Sequence, residues 1–331
     1  MTTIHYEADA DLSVLDGQTV AVVGYGNQGR SWALNLRDSG VAPVVCVRND
    51  DSRAEAEADG FEARDLEAAS EADVICVLVP DDVIPELPIE PGDGALTIVA
   101  SGYTLAFDRF DPAGDQAMVA PRMLGPEVRR CYEEGWGFIT GVGVHRDVTG
   151  TALARTLAIA HGIGGLKQGG IEMSPRQEAV LDLAVEQVLS PALTHVNNAF
   201  VRLMMENDIP LEAIITELML SGEVERSYTL VRKLGFVGQL GFHSPTSQYG
   251  QLSRRGTFDD FDLHGRMAQL LDDITSGRFA DEWDEQRDAG HPRLAELWAE
   301  HANATIAGFE TDLRRRLGEN VTPNGPAEVS A

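Results

Sequence analysis

The segment VAVVGYGNQGRSWALNLRDSG, residues 20–40, constrains the fold more than any other part of the chain. A short β-branched run leads straight into Gly24, Gly26 and Gly29, and an apolar-periodic helix follows at once. In this G-x-G-x-x-G spacing the glycines let the backbone turn tightly and approach a pyrophosphate, which then rests on the free amides of the helix N-terminus. Tyr25, Asn27 and Gln28 fill the intervening positions. A glycine-rich turn alone is weak evidence. The strand before it, the helix after it and the second strand in PVVCVRNDD make a dinucleotide site the leading reading over a turn without a ligand.

Up to about residue 170, near-continuous apolar runs recur: TVAVVGY, PVVCV, DVICVLV, ALTIVAS, AMVAP and GFITGVGV. Runs of this kind, separated by amphipathic stretches, signify parallel strands covered on both faces. The expected fold is therefore an α/β, doubly wound, mainly parallel Rossmann domain over residues 1–173. Beyond it, SPRQEAVLDLAVEQVLSPALTHVNNAFVRLMMEN, PLEAIITELML and DLHGRMAQLLDDITSGRFADEWDEQ carry apolar residues at helical spacing. They predict an all-α domain over 174–318. Residues 319–331, rich in turn formers, are expected to be a disordered tail.

Charge narrows the partners. The chain has 53 acidic against 26 basic residues, a net charge of −27, and Lys167 and Lys233 are its only lysines. Such a surface repels phosphate backbones and anionic lipid, which argues against nucleic acid and membranes as partners. The acidity suggests a high-salt cytosol, and an arginine-preferring genome explains the lysine shortage almost as well. There is no apolar run of eighteen residues and no signal-peptide pattern, so the expected location is the cytoplasm. Cys46, Cys76 and Cys131 show neither disulfide nor zinc spacing and read as buried thiols.

The segment RNDDSR leaves NADH against NADPH open. Arg48, Ser52 and Arg53 suit a 2′-phosphate, whereas Asp50 and Asp51 repel one and suit a free ribose hydroxyl. In the helical half, Glu178, Asp182 and Glu186 are spaced four apart and share one helix face. A solvated acidic face is the plain reading, and oxygen ligation of Mg²⁺ is one that the spacing allows.

Through these motifs the chain resembles the ketol-acid reductoisomerases, in the short-form arrangement. The likeness runs from YEADADLSVLDGQTVAVVGYGNQGRSWALNLRDSGV through EADVICVLVPDD, APRMLGPEVRR, GVHRDVTGTALARTLAIAHGIGG, DLAVEQ, SPTSQYG and SGRFADEWDEQRDAG. The resemblance implies a Rossmann domain followed by a knotted helical domain, and a homodimer or larger assembly of dimers around a shared active site. It places Pro80 and Asp81 with the cofactor, Asp182 and Glu186 on Mg²⁺, Glu217 as a metal ligand given by the partner subunit, and Ser244 on the substrate.

The departures fall where that family does its chemistry. A histidine position is occupied by Ser101, which removes a group able to carry protons near neutral pH. A lysine position is Arg122, followed by Met123 and Leu124 in place of Gly-Pro. A second partner glutamate position is Ser221, whose hydroxyl is a poor replacement for a carboxylate on Mg²⁺. With one ligand lost, at most one Mg²⁺ is expected.

These substitutions suggest an NAD(P)H-dependent reductase that delivers hydride to a 2-oxo acid or its imine while alkyl migration is impaired. Arg122 would clamp the carboxylate of the small-molecule substrate, and Ser101, Ser221, Glu217 and Ser244 would line the site. A genuine isomeroreductase with rearranged ligands, such as Glu223 or Glu225, is the alternative. A catalytically silent dinucleotide-binding scaffold is the third.

Overall fold

The computed structural model describes residues 1–302 and 305–317. The tail expected over 319–331 lies outside them. The chain forms two compact units, one from Met1 to Leu183 and one from Ala184 onward.

In the first unit the elements run β1 (Ile4–His5), β2 (Val20–Val23), α1 (Asn27–Asp38), β3 (Val44–Cys46), α2 (Asp51–Ala58), β4 (Ala63–Arg64), β5 (Val74–Val77) and β6 (Leu96–Val99). They continue as α3 (Tyr103–Ala106), β7 (Asp115–Pro121), α4 (Gly125–Glu133), β8 (Thr140–Arg146), α5 (Ala152–Gly162), β9 (Gly170–Glu172) and α6 (Pro175–Ala184). All six apolar runs read from the sequence become strands.

The strands form one sheet in the order β4, β3, β2, β5, β6, β7, β8, β9, β1. Pairing is parallel except between β7 and β8 and between β1 and β9. From β4 to β7 this is the dinucleotide-binding order, with the reversal of winding between β2 and β5.

Alternate residues of each strand feed two separate cores, which explains the lack of a polar face. Val20, Val22, Val74, Cys76, Leu96 and Ile98 pack with Trp32 and Leu36 of α1, Val128 of α4 and Ile159 of α5. Ala21, Val23, Ile75, Val77 and Val99 face the other way, against Ala69, Ile84, Ile89 and Leu105. That second layer consists of short turns of helix rather than long helices. Cys46, Cys76 and Cys131 are buried free thiols, and burial pushes Cys46 up to about 11 and Cys76 up to about 12.

One buried ion pair ties the layers together. Arg155 of α5 donates to the fully buried Asp115 at the start of β7, which also accepts from the Val148 N–H at 2.6 Å, the Thr149 N–H at 3.0 Å and the Thr149 hydroxyl at 2.6 Å.

The second unit is helical: α7 (Ser190–Met205), α8 (Leu211–Ile215), α9 (Glu223–Gly238), α10 (Pro245–Arg254), α11 (Leu263–Thr275), α12 (Arg278–Asp288), α13 (Pro292–Ala302) and α14 (Thr305–Leu317). Two π turns interrupt the α geometry, at Val185–Leu189 and Thr216–Leu220. Few of its apolar side chains are buried within the single chain. Phe200, Leu203, Phe258 and Phe261 line a groove of about 1130 Å³ and are themselves 42 to 62% exposed.

Candidate active site

The cofactor end of the first unit is built by the turn after β2. Gly24 adopts φ +93°, and a Cβ there would lie 2.7 Å from the Leu78 carbonyl oxygen, so only glycine passes between β2 and β5. A Cβ on Gly29 would lie 2.2 Å from the Gly24 carbonyl, which is the close strand-to-helix packing that the third glycine permits. Gly26 differs, since a Cβ there would meet nothing within 4 Å. It borders a cleft of about 270 Å³ lined by Gly24, Tyr25, Gly26, Arg48, Asp50, Ser52 and Pro80, at the point where the sheet reverses its winding.

The end of that cleft at Arg48 and Asp50 carries both signs of charge. Arg48 Nε lies 3.3 Å from Asp50 Oδ2, while Asp50 Oδ1 accepts from the Ser52 N–H at 3.1 Å and so caps α2. Arg53, grouped with them in the sequence reading, turns away to Asp65 and to the Val47 and Ala63 carbonyls. Tyr25 points its hydroxyl at Asp59 (2.8 Å), which also binds Arg30. Burial and then the Asp59 carboxylate hold the Tyr25 phenol well above its usual range.

A second cluster lies at the C-terminal ends of β6 and β7. The Arg122 backbone N–H bonds Ile139 O at 2.9 Å, which extends the β7–β8 pairing by one residue and fixes where the side chain starts. Its guanidinium donates through Nη2 to Glu178 Oε1 and through Nη1 to Asp182 Oδ1, the latter at 3.1 Å. Glu178 is 1% exposed at the side chain, and its other oxygen accepts from the Gly102 N–H at 2.7 Å. Burial raises the Glu178 carboxyl above its usual range, against the pull of Arg122 and of that N–H.

Ser101 adjoins Gly102 and accepts from the Tyr103 N–H at 3.3 Å. Gly102 is pinned, because a Cβ there would lie 2.1 Å from Pro175 O at the start of α6. Ser101, Arg122 and Asp182 are thus brought into one cluster. Its centre is Glu178, which the sequence reading set on the shared acidic face and did not choose. The clue was there, in the four-residue spacing to Asp182.

Other sequence candidates lie in the helical unit. Glu186 and Glu217 are exposed, and each is the second residue of a π turn, where four-residue spacing no longer repeats a face. Ser221 accepts from the Glu223 N–H at 3.2 Å and donates toward Glu217 O at 3.4 Å, so its hydroxyl helps start α9. Ser244 caps α10 by accepting from the Ser247 N–H at 3.3 Å. Met123 is half-buried against the first core, whereas Leu124 is 77% exposed. Asp81 does not line the cleft beside Pro80. Among the described residues no three His, Cys, Asp or Glu gather as a metal site, and no helix is long and apolar enough to cross a membrane.

A glycine-turn cleft at the switch point of a parallel sheet, with a charged cluster at the neighbouring strand ends, defines an NAD(P)-dependent oxidoreductase. Residues 14–169 match the family described as acetohydroxy acid isomeroreductase, NADPH-binding domain, and residues 176–318 match ketol-acid reductoisomerase, C-terminal domain. The chain belongs to the ketol-acid reductoisomerase family.

It is 38% identical to the ketol-acid reductoisomerase (NADP⁺) of Caldivirga maquilingensis, over 96% of this chain and 99% of that one. It is 35% identical to that of Methanocaldococcus jannaschii, with the same coverage. Among solved structures, the NADH-preferring ketol-acid reductoisomerase from an uncultured archaeon superposes with a TM-score of 0.86 at 29% identity, over 96% of this chain and 99% of that chain. The expectation of a reductase with impaired migration finds no support in these likenesses, which run nearly end to end along enzymes named for both steps.

Proposed function

We propose that the chain is a ketol-acid reductoisomerase, acting on a small acetohydroxy acid by alkyl migration followed by hydride transfer from NADPH or NADH. The observation that carries this reading is the similarity to enzymes of that name over 99% of their length. The geometry is compatible with it. The pyrophosphate would sit against Gly26 at the N-terminus of α1, where open space rather than protein meets a Cβ.

The donor chemistry of a carboxylate suits a hard divalent cation, and Asp182 would be the ligand that the first unit offers to Mg²⁺. Such an ion polarises the oxygen of a carbonyl. Arg122 spends one N–H of each terminal nitrogen on Glu178 and Asp182, so it is not the free carboxylate clamp expected from the sequence. Two terminal N–H bonds remain for a substrate oxygen, on a side chain that is 29% exposed. Exposed apolar surface on the helical unit supports an assembly of at least two copies.

A second reading is hydride transfer without migration. Ser221 favours it, because a hydroxyl committed to starting α9 stands where the resemblance implies a metal ligand. The two are separated by following NAD(P)H absorbance at graded Mg²⁺ with 2-acetolactate and with a preformed 2-oxo acid. Mg²⁺-dependent oxidation with 2-acetolactate supports the first. Oxidation with the 2-oxo acid alone selects the second, and none with either substrate leaves a binding scaffold.

A further inference from the structure

We propose that Arg122 is the internal cation of the Glu178 and Asp182 carboxylate pair, with Glu178 as the residue that positions it. Together they exclude a divalent ion from between these carboxylates and confine an ion bound by Asp182 to its other oxygen. The inference rests on the reading of Asp182 as a metal ligand.

Four observations in the first unit carry it. Both Glu178 oxygens are committed, one to Arg122 and one to the Gly102 N–H at 2.7 Å, and the side chain is almost wholly buried. Neither anchor can give way easily, since Gly102 is wedged against Pro175 and the Arg122 backbone is tied to Ile139. The guanidinium cannot leave without stranding a buried carboxylate, a costly outcome. Its third contact, Nε to Ala120 O at 3.4 Å, keeps the plane of the fork between Glu178 and Asp182.

Charge counting gives the consequence. Two carboxylates and one guanidinium leave a single negative charge. That attracts one further cation and repels it from the side where the guanidinium lies. A lysine could not do the same, because a point-like ammonium does not bridge two carboxylates as a planar fork does.

The test counts ions and does not depend on turnover. Mn²⁺ is titrated into the full-length protein and the free ion is read by electron paramagnetic resonance. The unmodified protein should bind one Mn²⁺ per chain, and Asp182→Asn should remove it. The pair Arg122→Met with Glu178→Gln leaves no unpaired buried charge and keeps the net charge of the cluster, so its gain comes from the freed Asp182 oxygen, and it should bind Mn²⁺ about threefold more tightly. Should that pair fail to fold, Arg122→Lys keeps Glu178 paired and should still gain about threefold. Two Mn²⁺ per chain in the unmodified protein, no gain in either variant, or binding indifferent to Asp182→Asn would each overturn the inference. Mn²⁺ on Asp182 without turnover of any substrate sinks only the functional reading, and turnover with unchanged Mn²⁺ affinity in the variants sinks only this inference.

Discussion

The guanidinium of Arg122 and the carboxylate of Glu178 are paired across 56 residues of sequence, joining the end of β7 to the first turns of α6. Because Glu178 is buried, removing its partner exposes the cost of an unpaired charge. Arg122→Met should lower unfolding stability by about 3 kcal/mol, within the range for broken buried pairs. Adding Glu178→Gln should recover most of that loss, giving a large coupling in a double-mutant cycle measured by urea unfolding. Additive losses in the two single variants would mean that the pair is not formed in solution.

Gly26 and Gly29 of the turn should fail in different ways. Gly26→Val projects into the cleft without touching protein, so the fold should survive while cofactor binding, followed by NADPH fluorescence, is lost. Gly29→Ala drives a methyl group into the Gly24 carbonyl and should cost stability before affinity is measured. A Gly26→Val protein with unchanged cofactor affinity would remove the Rossmann reading of the cleft.

Arg48 and Asp50 form an ion pair on the wall of that cleft, where the proposed reading sets the ribose. Arg48→Ala should weaken NADPH about tenfold and NADH far less, as expected for loss of one charge-assisted bond to a 2′-phosphate. Asp50→Asn should shift preference toward NADPH by removing a like charge, at little cost to α2 since asparagine also caps. Dissociation constants for both cofactors in both variants decide this. Arg53→Ala should move stability rather than preference, because its bonds go to Asp65 and two carbonyls.

Much of this was legible in the sequence because some motifs carry their own geometry. The glycine turn specifies strand, tight bend and helix within ten residues, and the six apolar runs had no polar face to confuse with a helix. The strands β1, β4 and β9, of two or three residues each, have too few positions to show a period. The change to helical texture near residue 174 marks the type of element and not its packing. Helix α6 belongs with the first unit because Glu178 and Ala179 are buried there.

The site was half legible for a related reason. Arg122 stands out as an arginine at a lysine position, but its partners lie 56 and 60 residues away, so pairing could not be read locally. Glu178, Asp182 and Glu186 look alike in sequence, whereas the structure buries the first, half-exposes the second and sets the third on a π turn.

Assembly gives the next test. Phe236, Phe258, Phe261 and Tyr249 are all more than 60% exposed on the helical unit. Large apolar side chains left this exposed are what a second copy would be expected to cover. Light scattering should give a dimer or a multiple of it that persists on dilution to nanomolar concentration. A stable, folded monomer would leave these side chains without a role.

The buried Asp115–Arg155 pair sets a pH dependence whose sign can be worked out. Burial alone would raise the Asp115 carboxyl. The Thr149 hydroxyl, the N–H groups of Thr149 and Val148, and Arg155 outweigh it and hold the group below its usual 3.8. A carboxyl depressed in the folded state contributes stability that is fully present above the unfolded value and lost as pH falls through the folded one. Thermal stability should therefore fall as pH drops below about 4, with Asp115 among the contributors. In Asp115→Asn the acid limb should flatten while neutral-pH stability falls by about 3 kcal/mol, since Arg155 then lies buried without its counter-charge. Melting curves from pH 7 to pH 2 at constant high salt separate this from surface repulsion, which salt screens and a buried pair largely escapes. An acid limb of unchanged steepness in the variant would show that other carboxylates carry it.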